Sequence, residues 1–242
     1  MKHIDVKEIV KSKDYVGKEV TVCGWVRTSR NSKSVAFVEL NDGTSLKNVQ
    51  VVIEKGEGDY KEPRVGMSLK VVGNVVEGRN NTVEINAVPE GITVLGDCPT
   101  DYPLQKKGHS LEFLRSIPHL RSRTNTFNAV WRVRSVLAAA LHEFFQKNNY
   151  VYINTPLITG SDCEGAGEMF QVTTNGYTTE FKNEEEYYAN DFFGKKAGLS
   201  VSGQLEGEMA ATAMGKIYTF GPSFRAENSN TPKHLAEFWH IE

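Results

Sequence analysis

The stretch FRAENSNTPKHLAEF, residues 224–238, holds an Arg-x-Glu pair, a polar loop, a histidine and an acidic–aromatic pair. The guanidinium of Arg225 is planar and always charged, so it can grip phosphate oxygens at two points. Glu227 can accept a hydrogen bond from an exocyclic amine, and Phe238 can stack on a purine ring. An Arg-x-Glu pair taken alone is more often a solvated ion pair worth less than ~1 kcal/mol. The whole block is more specific, and it predicts a strand–loop–strand hairpin that binds ATP.

The composition is that of a folded protein with a substantial core. The chain has 242 residues, enough for one large domain or two ordinary ones, and is 39% hydrophobic and 24% charged. Its formal net charge of −2 excludes a strongly basic surface over the whole molecule. Any contact with nucleic acid therefore has to use a local patch or base stacking.

The cysteines and the apolar runs indicate the compartment. Cys23, Cys98 and Cys163 are odd in number and widely spaced, with no CxxC pair, which argues against a disulfide framework and a zinc site. The charged N-terminus lacks the apolar region of a signal peptide, and no run approaches the ~18 apolar residues of a membrane span. We expect a cytoplasmic protein with no membrane partner.

Residues 17–95 are rich in β-branched residues and turn signals. Five runs are separated by turns, and an insertion at residues 54–66 can hold a short helix or a loop. Five strands with an insertion after the third match the OB-fold, although a small β-barrel without a ligand has the same pattern. The runs are EVTVCGWVR (19–27), VAFVEL (35–40), VQVVIE (49–54), LKVVGNVVEG (69–78) and TVEINAV (82–88).

The chain changes character after residue 95. Residues 96–124 contain three prolines and a cluster of cations that break any periodicity, which predicts a hinge. A long helix follows, with apolar residues at helical spacing from Phe127 to Phe145 and a C-cap at Asn148 and Asn149. We therefore divide the chain into residues 1–98, 99–124 and 125–242.

The third part mixes strands, a glycine-rich stretch and a helix. YVYINTPLIT (150–159) predicts a strand interrupted at Pro156, and GSDCEGAGEMF (160–170) has small residues that let a backbone approach a ligand. Residues 178–197 are acidic and aromatic and predict a loop. LSVSGQLEGEMAATAMG (199–215) predicts a strand and then a helix that begins near Gln204, and KIYTFGPSFRAE (216–227) predicts another strand.

Taken in order, these segments resemble the class II aminoacyl-tRNA synthetases of the aspartyl/asparaginyl subgroup. The unit ending at Thr155-Pro156 is similar to their motif 1, and residues 224–238 are similar to their motif 2. The sequence GPSFRAENSN (221–230) is similar to that of the asparaginyl branch. The resemblance implies an α+β protein: a five-stranded OB-fold β-barrel that binds the anticodon, the hinge, and an incomplete antiparallel-sheet catalytic domain. It also implies ATP-dependent ligation of asparagine to its tRNA through an asparaginyl-adenylate.

The resemblance assigns roles to individual side chains. Arg225 and Glu227 become the catalytic pair, and they bind ATP together with His234 and Phe238. Pro156 becomes part of a homodimer interface. The apolar stripe of the preceding helix, taken alone, is more often core than interface.

Three residues are implied in binding the amino acid: Glu164, Gln204 and Glu206. Glu164 lies in a Glu-Gly-Ala segment through which the subgroup contacts its amino acid. The aspartyl enzymes carry a lysine two residues after their Ser-Pro-Gln-Leu segment, and Gly207 stands at that place here. A buried amide needs an acceptor whereas a carboxylate needs a cation, so Glu206 favours asparagine. Alternatively, Glu206 and Glu208 form the acidic first turn of a helix.

The first part resembles the anticodon-binding OB-fold of the same subgroup in its runs GWVR, VAFVEL and NVQVV. Phe37 is the expected stacking platform for an anticodon base, at ~1–3 kcal/mol per base. Gln50 and Glu84 are expected to read base edges, and Arg27 to hold a phosphate. Without the resemblance, Phe37 would be assigned to the core and the others to an ordinary surface.

One departure bears on the expected activity. The subgroup's motif 3 and its later Mg²⁺-binding acidic residues have no counterpart, so those ligands are expected beyond Glu242, with no metal site within the chain. We expect the N-terminal half of an enzyme that uses ATP and Mg²⁺, with tRNA, asparagine and a second copy as partners. The alternatives are an aspartyl-type or non-discriminating synthetase, and a non-catalytic tRNA-binding fragment or paralogue.

Overall fold

The first half of the chain forms strands whose side chains alternate between a buried and an accessible face, as shown by the computed structural model. The structure describes residues 3–55, 61–163, 165, 167–229 and 231–242, in two units, Met1–Arg134 and Ser135–Glu242. The first unit begins with helix α1 and six strands: α1 (Val6–Lys11), β1 (Glu19–Asn31), β2 (Val35–Asn41), β3 (Val49–Glu54), β4 (Ser68–Glu77), β5 (Val83–Ala87) and β6 (Ile92–Gly96).

These strands close into a barrel. The strand order is β1-β2-β3-β5-β4, and β1 also pairs with β4. Strand β6 pairs with the first residues of β4, on the edge opposite β1. The β3–β5 pair is parallel and the others are antiparallel. The predicted five-stranded OB-fold barrel is therefore confirmed.

The interior of the barrel is apolar. Alternate residues of each strand point inward, so that Val22, Val38, Val51, Leu69 and Ile85 are at most 1% exposed. Complete burial of an aliphatic side chain contributes ~1.5–3 kcal/mol relative to leaving it exposed. The outward positions of the strands remain accessible, and they carry the side chains expected to recognise bases.

In the barrel part of the chain, the sequence-based prediction missed helix α1 and strand β6. Helix α1 has six residues, too few to be stable alone. Tertiary contacts hold it instead: Val6 and Ile9 are fully buried, and the Val6 N–H donates to Oδ2 of Asp42 at 2.8 Å. Residues 56–60, inside the expected insertion, lie outside the described residues.

The remainder of the chain contains five helices and six strands among the described residues. The expected hinge holds two short helices, and residues 178–197, predicted as a loop, contain α5. The missed signal was Asn183, whose side chain caps α5 by accepting from the Glu186 N–H at 2.8 Å. The elements are α2 (Leu111–Ser116), α3 (Pro118–Arg121), α4 (Asn125–Lys147), β7 (Val151–Ile153), β8 (Ile158–Thr159), β9 (Gln171–Val172), α5 (Glu184–Ala189), β10 (Ala197–Leu199), α6 (Gln204–Met214), β11 (Ile217–Phe224) and β12 (Glu237–Ile241).

Two small sheets organise the second unit. One has the order β8-β10-β9 and is antiparallel; the other has the order β12-β11-β7, with β11–β12 antiparallel and β7–β11 parallel. The predicted break at Pro156 separates β7 from β8, and α6 begins at Gln204 as expected. Strand β11 is central, and its C-terminal end leads into the hairpin loop.

Aromatic packing anchors β11 to α4. Tyr218 is 1% exposed, its ring stacks on Phe145 at 4.7 Å between centroids, and its hydroxyl lies 2.7 Å from Nδ1 of His142. The helix ends as predicted, with Asn149 at φ 65°, the left-handed conformation of a C-cap residue. In the part of the chain that the structure describes, no helix is both long and apolar enough to cross a membrane.

Candidate functional site

The hairpin predicted from residues 224–238 is present. In the β11–β12 pair, Ser223 lies opposite Phe238 and Phe224 opposite Glu237. The Arg225 N–H donates to the Ala236 carbonyl at 3.0 Å. This pairing places Arg225 and Phe238, distant in sequence, at the same end of the hairpin.

Two side chains lie close to Arg225, those of Phe238 and Glu227. The Arg225 Cζ lies 5.4 Å from the centroid of the Phe238 ring, and its Nη1 lies 4.0 Å from Oε1 of Glu227. That ion pair is long and partly exposed, so it contributes little. The Arg225 Nε is buried and has no hydrogen-bond partner among the described residues. A buried donor without an acceptor is costly, and a phosphate oxygen would satisfy it.

The glycine-rich stretch lies against this arginine. The Ala226 N–H donates to the Glu168 carbonyl at 2.7 Å. A Cβ at Gly167 would lie 3.0 Å from Cδ of Arg225 and 3.3 Å from Oε1 of Glu227. The structure thus brings together the two segments expected to bind ATP and the amino acid, and the absence of a side chain at Gly167 leaves room for Arg225.

His234, predicted to bind ATP, is not brought to Arg225 by the described structure. His234 is exposed in the hairpin loop, where its Nδ1 is hydrogen-bonded to the Thr231 hydroxyl. Glu164 lies outside the described residues. The Cys163 Sγ, immediately before it, lies 3.8 Å from Oε1 of Gln204, so the glycine-rich stretch also approaches the start of α6.

Gln204 and Glu206 differ in their surroundings. Gln204 lines a groove of about 360 Å³ with Gly207, Glu208 and Thr219, and its Nε2 donates to Oε1 of Glu208 at 2.8 Å. Glu206 is half-buried in the first turn of α6 and is not among the residues that line this groove. A ligand in this groove could therefore contact the side chain of Gln204, whereas Glu206 does not line the groove.

Sequence reasoning missed a polar cluster at the start of α6. Glu242 accepts from the Gly203 N–H at 2.8 Å, from the Thr219 hydroxyl at 3.3 Å and from the Ser202 hydroxyl. The Ser202 Oγ in turn accepts from the Gln204 N–H at 3.0 Å. The cluster fixes the backbone that presents Gln204. The Ser-Gly pair before α6 was the available signal, whereas Glu242 had none.

Pro156 is exposed, and it lines a cavity of about 230 Å³ together with Gly203, Thr219, His240 and Glu242. It therefore lies next to the polar cluster at the start of α6.

Helix α4 leaves its apolar residues exposed. None of its residues is buried. Val130, Val133, Leu137, Ala140 and Phe144 are all exposed at alternating three- and four-residue spacing, which is the spacing of a helix–helix seam. Val133, Leu137 and Phe144 are 58–61% exposed. Such a face is unusual for a surface in contact only with water.

The barrel carries a groove on its outer face, here called the Phe37 groove. Phe37, Gln50 and Glu84 all line this cavity of about 790 Å³. Gln50 lies opposite Glu84 in the parallel β3–β5 pair, and the Arg30 Cζ lies 5.8 Å from the Phe37 ring centroid. Three of the four residues expected to bind the anticodon therefore share one site, and Arg30 adds a cation that sequence analysis did not select.

Arg27 lies elsewhere on the barrel. It lines a separate cleft of about 600 Å³ and donates from Nη2 to Oδ1 of Asn125 at 3.3 Å. Burial lowers the pKa of Arg27 from its ordinary value, and nearby Arg123 acts in the same direction, while Tyr102 and Glu39 oppose the shift. Arginine remains charged through such shifts, so Arg27 is a partly desolvated cation.

Among the described residues, no group of three or more His, Cys, Asp or Glu side chains is arranged to hold a metal ion. The three cysteines are free thiols.

Two family models match the chain. Residues 110–242, more than half of it, match the tRNA synthetases class II (D, K and N). Residues 20–95 match an OB-fold nucleic acid binding domain. The two matches fall on the two halves that carry the hairpin and the barrel.

Curated relatives agree with these models. An asparagine–tRNA ligase from Phocaeicola vulgatus is 54% identical over 244 residues, which cover 98% of this chain and 52% of the relative. Another from Clostridium acetobutylicum is 52% identical over 248 residues, which cover 100% of this chain and 54% of the relative. The chain thus spans about half the length of these relatives.

A solved structure has the same fold. Asparaginyl-tRNA synthetase from Pyrococcus horikoshii, complexed with asparaginyl-adenylate, matches with a TM-score of 0.79 at 26% identity. The match covers 100% of this chain and 52% of that one.

Proposed function

Because the chain belongs to the class II tRNA synthetases (D, K and N), we propose that it supplies the anticodon-binding barrel and the ATP-binding hairpin of an asparagine–tRNA ligase. The asparaginyl relatives and the adenylate complex of the P. horikoshii protein support asparagine as the amino acid. The reaction has two steps. The asparagine carboxylate attacks the α-phosphorus of ATP and releases pyrophosphate. A hydroxyl of the terminal ribose of the tRNA then attacks the acyl carbon of the adenylate, which forms the ester and releases AMP.

The observation that carries this proposal is the environment of Arg225. Its guanidinium lies over Phe238, its buried Nε lacks a partner among the described residues, and Gly167 leaves space beside it. An α-phosphate placed there would receive charge-assisted hydrogen bonds, and these would strengthen as charge develops in the transition state. No side-chain nucleophile is required, so positioning and charge stabilisation account for the rate.

The neighbouring residues complete the nucleotide site. Phe238 stacks on the adenine, Glu227 accepts from its amino group or orients the tRNA end, and His234 approaches from the loop over ATP. Mg²⁺ would accompany ATP and neutralise phosphate charge.

The amino-acid end lies between the glycine-rich stretch and α6. Gln204, fixed by the Glu242 cluster, binds the α-amino or carbonyl end of asparagine, and Glu164 and Glu206 supply acceptors for its ammonium and amide groups. Support is strongest for Gln204, which is exposed in a groove next to Cys163.

The barrel binds the anticodon through the Phe37 groove, with Phe37 as the stacking platform and Gln50 and Glu84 as readers of base edges.

We infer that a second copy of the chain covers the exposed face of α4, with Pro156 near that interface. Since tRNA and ATP are the proposed substrates, we place the protein in the cytoplasm.

The test is amino-acid-dependent ATP–pyrophosphate exchange with asparagine and aspartate side by side. We expect exchange with asparagine only, loss of exchange in Arg225→Ala, and partial retention in Arg225→Lys, which keeps the charge but not the fork. Unchanged exchange in Arg225→Ala would contradict the role of the hairpin.

Other outcomes distinguish the alternatives. Equal exchange with both amino acids would identify an aspartyl-type or non-discriminating enzyme. Binding of tRNA without exchange, and without binding of a sulfamoyl analogue of asparaginyl-adenylate, would identify an RNA-binding protein that does not form the adenylate.

A further inference from the structure

Two cavities lie on the accessible side of the barrel, and they share no lining residue. The Phe37 groove contains the expected base-reading residues. The second cavity, here called the Arg27 cleft, is lined among others by Trp25, Arg27, Tyr102, Lys106, Lys107 and Arg123. The sequence analysis expected Arg27 to hold a phosphate, but the proposed function assigns no role to this second cavity or to Arg123.

The Arg27 cleft concentrates positive charge in an otherwise slightly acidic protein. Two arginines and two lysines line it, and Glu39 is the carboxylate among its lining residues. Glu39 Oε2 is already an acceptor for the Asn48 side chain at 3.1 Å. In the part of the chain that the structure describes, neither Arg27 nor Arg123 forms an ion pair with a carboxylate.

Each arginine is nevertheless held in place. Arg27 donates to the Asn125 side chain at 3.3 Å, and the Nη1 of Arg123 donates to the Tyr102 hydroxyl at 3.2 Å. Both partners are neutral oxygens, so the repulsion between the two guanidinium groups is opposed only at longer range, by Glu39 and Tyr102 acting on Arg27. Burial also lowers the pKa of Arg27. A positioned pair of cations, of which Arg27 is partly desolvated and Arg123 is exposed, favours the binding of an anion.

The position of the cleft indicates which anion. Phe37 lines the groove and Glu39 lines the cleft, and the two are neighbours on the outer face of β2, about 7 Å apart at the usual strand rise. Gln50 of the groove pairs with Glu39 across β2 and β3. An OB-fold commonly contacts about 4–16 nucleotides, so a strand stacked on Phe37 is long enough to reach the cleft as well.

We propose that the Arg27 cleft binds backbone phosphates of the RNA strand whose bases occupy the Phe37 groove, with Arg27 and Arg123 as the principal contacts. The exposed lysines Lys106 and Lys107 add attraction at longer range. Phosphate contacts position the strand without reading its sequence. This inference rests on the proposed function, because it assumes that the barrel binds RNA.

The experiment measures binding of a tRNA transcript as a function of salt concentration. For Arg27→Gln/Arg123→Gln we expect affinity to fall about tenfold at ~0.1 M salt, equally for transcripts with cognate and altered anticodons. The slope of log K against log salt should fall by about 1–2, since each lost phosphate contact removes ~0.7–0.9. Arg27→Lys/Arg123→Lys should keep the wild-type slope.

Three further variants separate charge from folding and from the proposed function. Lys106→Gln/Lys107→Gln changes only exposed side chains, and a smaller slope decrease is expected. Lys7→Gln/Lys11→Gln on α1 removes the same charge away from both cavities, and the slope should remain unchanged. Phe37→Ala should weaken binding about tenfold while preserving the slope.

Three outcomes would contradict phosphate binding in the Arg27 cleft. The first is normal affinity and slope in both the arginine and the lysine double variants, with weakened binding in Phe37→Ala, which would leave the proposed function intact. No tRNA binding by the wild-type protein would overturn both. An equal slope decrease in the α1 control would show a general effect of charge and would also contradict phosphate binding in the cleft.

Discussion

At the scale of single residues, the geometry around Arg225 depends on Gly167. The pair joins two segments that the sequence analysis treated separately. A Cβ at Gly167 would approach Cδ of Arg225 to 3.0 Å and Oε1 of Glu227 to 3.3 Å, closer than ordinary van der Waals contact. The flexible arginine side chain can move away, but only out of the position over Phe238.

Gly167→Ala is therefore expected to weaken ATP binding while the fold remains intact. Displacement of a positioning arginine by less than 1 Å should cost roughly tenfold in the KM for ATP in pyrophosphate exchange, with Tm nearly unchanged. Gly176→Ala is a matched control, since the nearest neighbour of its Cβ is the Thr179 hydroxyl at 3.4 Å. Equal KM values in the two variants would contradict the steric argument.

At the scale of elements, one carboxylate organises the segment around α5. Asp191 is 8% exposed. It accepts from the Thr173 hydroxyl, from the Thr174 N–H at 3.2 Å and from the Phe193 N–H at 3.3 Å. The Thr173 hydroxyl, helped by backbone N–H groups, holds the pKa of Asp191 below its ordinary value, although burial acts in the opposite direction.

This shift predicts a stability that depends on pH. Because the folded pKa of Asp191 is lowered, its contribution is present above the unfolded value of about 4 and is lost as pH falls through the folded pKa. Asp191→Asn should lower the urea midpoint at pH 7, and the difference from wild type should shrink below pH 4. Urea unfolding at both pH values measures this, and a pH-independent difference would refute it.

At the scale of the whole molecule, the exposed seam of α4 has no partner within the described chain. An apolar face with coiled-coil spacing, more than half exposed at Val133, Leu137 and Phe144, favours association with a like surface. A neighbouring side of the helix is already used, since Phe145 and His142 pack on Tyr218. A dimer would therefore bury the seam without disturbing β11.

Charges in the seam should separate the proposed dimer. We expect light scattering to give twice the mass of one chain for the wild-type protein and a single-chain mass for Val133→Glu/Leu137→Glu. Ser135→Glu, which adds an acidic residue on another face of α4, should remain dimeric. A monomeric wild-type protein, or dissociation by Ser135→Glu as well, would contradict the assignment of the seam.

Much of the fold was predictable because its signals are local. The alternation in VAFVEL and VQVVIE predicted strands of the barrel, the apolar spacing after Phe127 predicted α4, and Asn149 predicted its end. Elements without local signals were missed. Helix α1 is too short to form alone and depends on Val6 and Ile9 entering the barrel core.

The same distinction, between features with local signals and features that depend on tertiary contacts, applies to the candidate site. The sequence by itself determined the hairpin and the residue types that suit ATP, since spacing and side-chain chemistry suffice for these, whereas Phe37 was expected as a stacking platform only through the resemblance. Only the tertiary structure placed Gly167 beside Arg225, Glu242 at the start of α6, and Arg27 with Arg123 in one cleft rather than with Phe37. Those pairings are set by strand register and loop path, which depend on contacts between residues far apart in the chain.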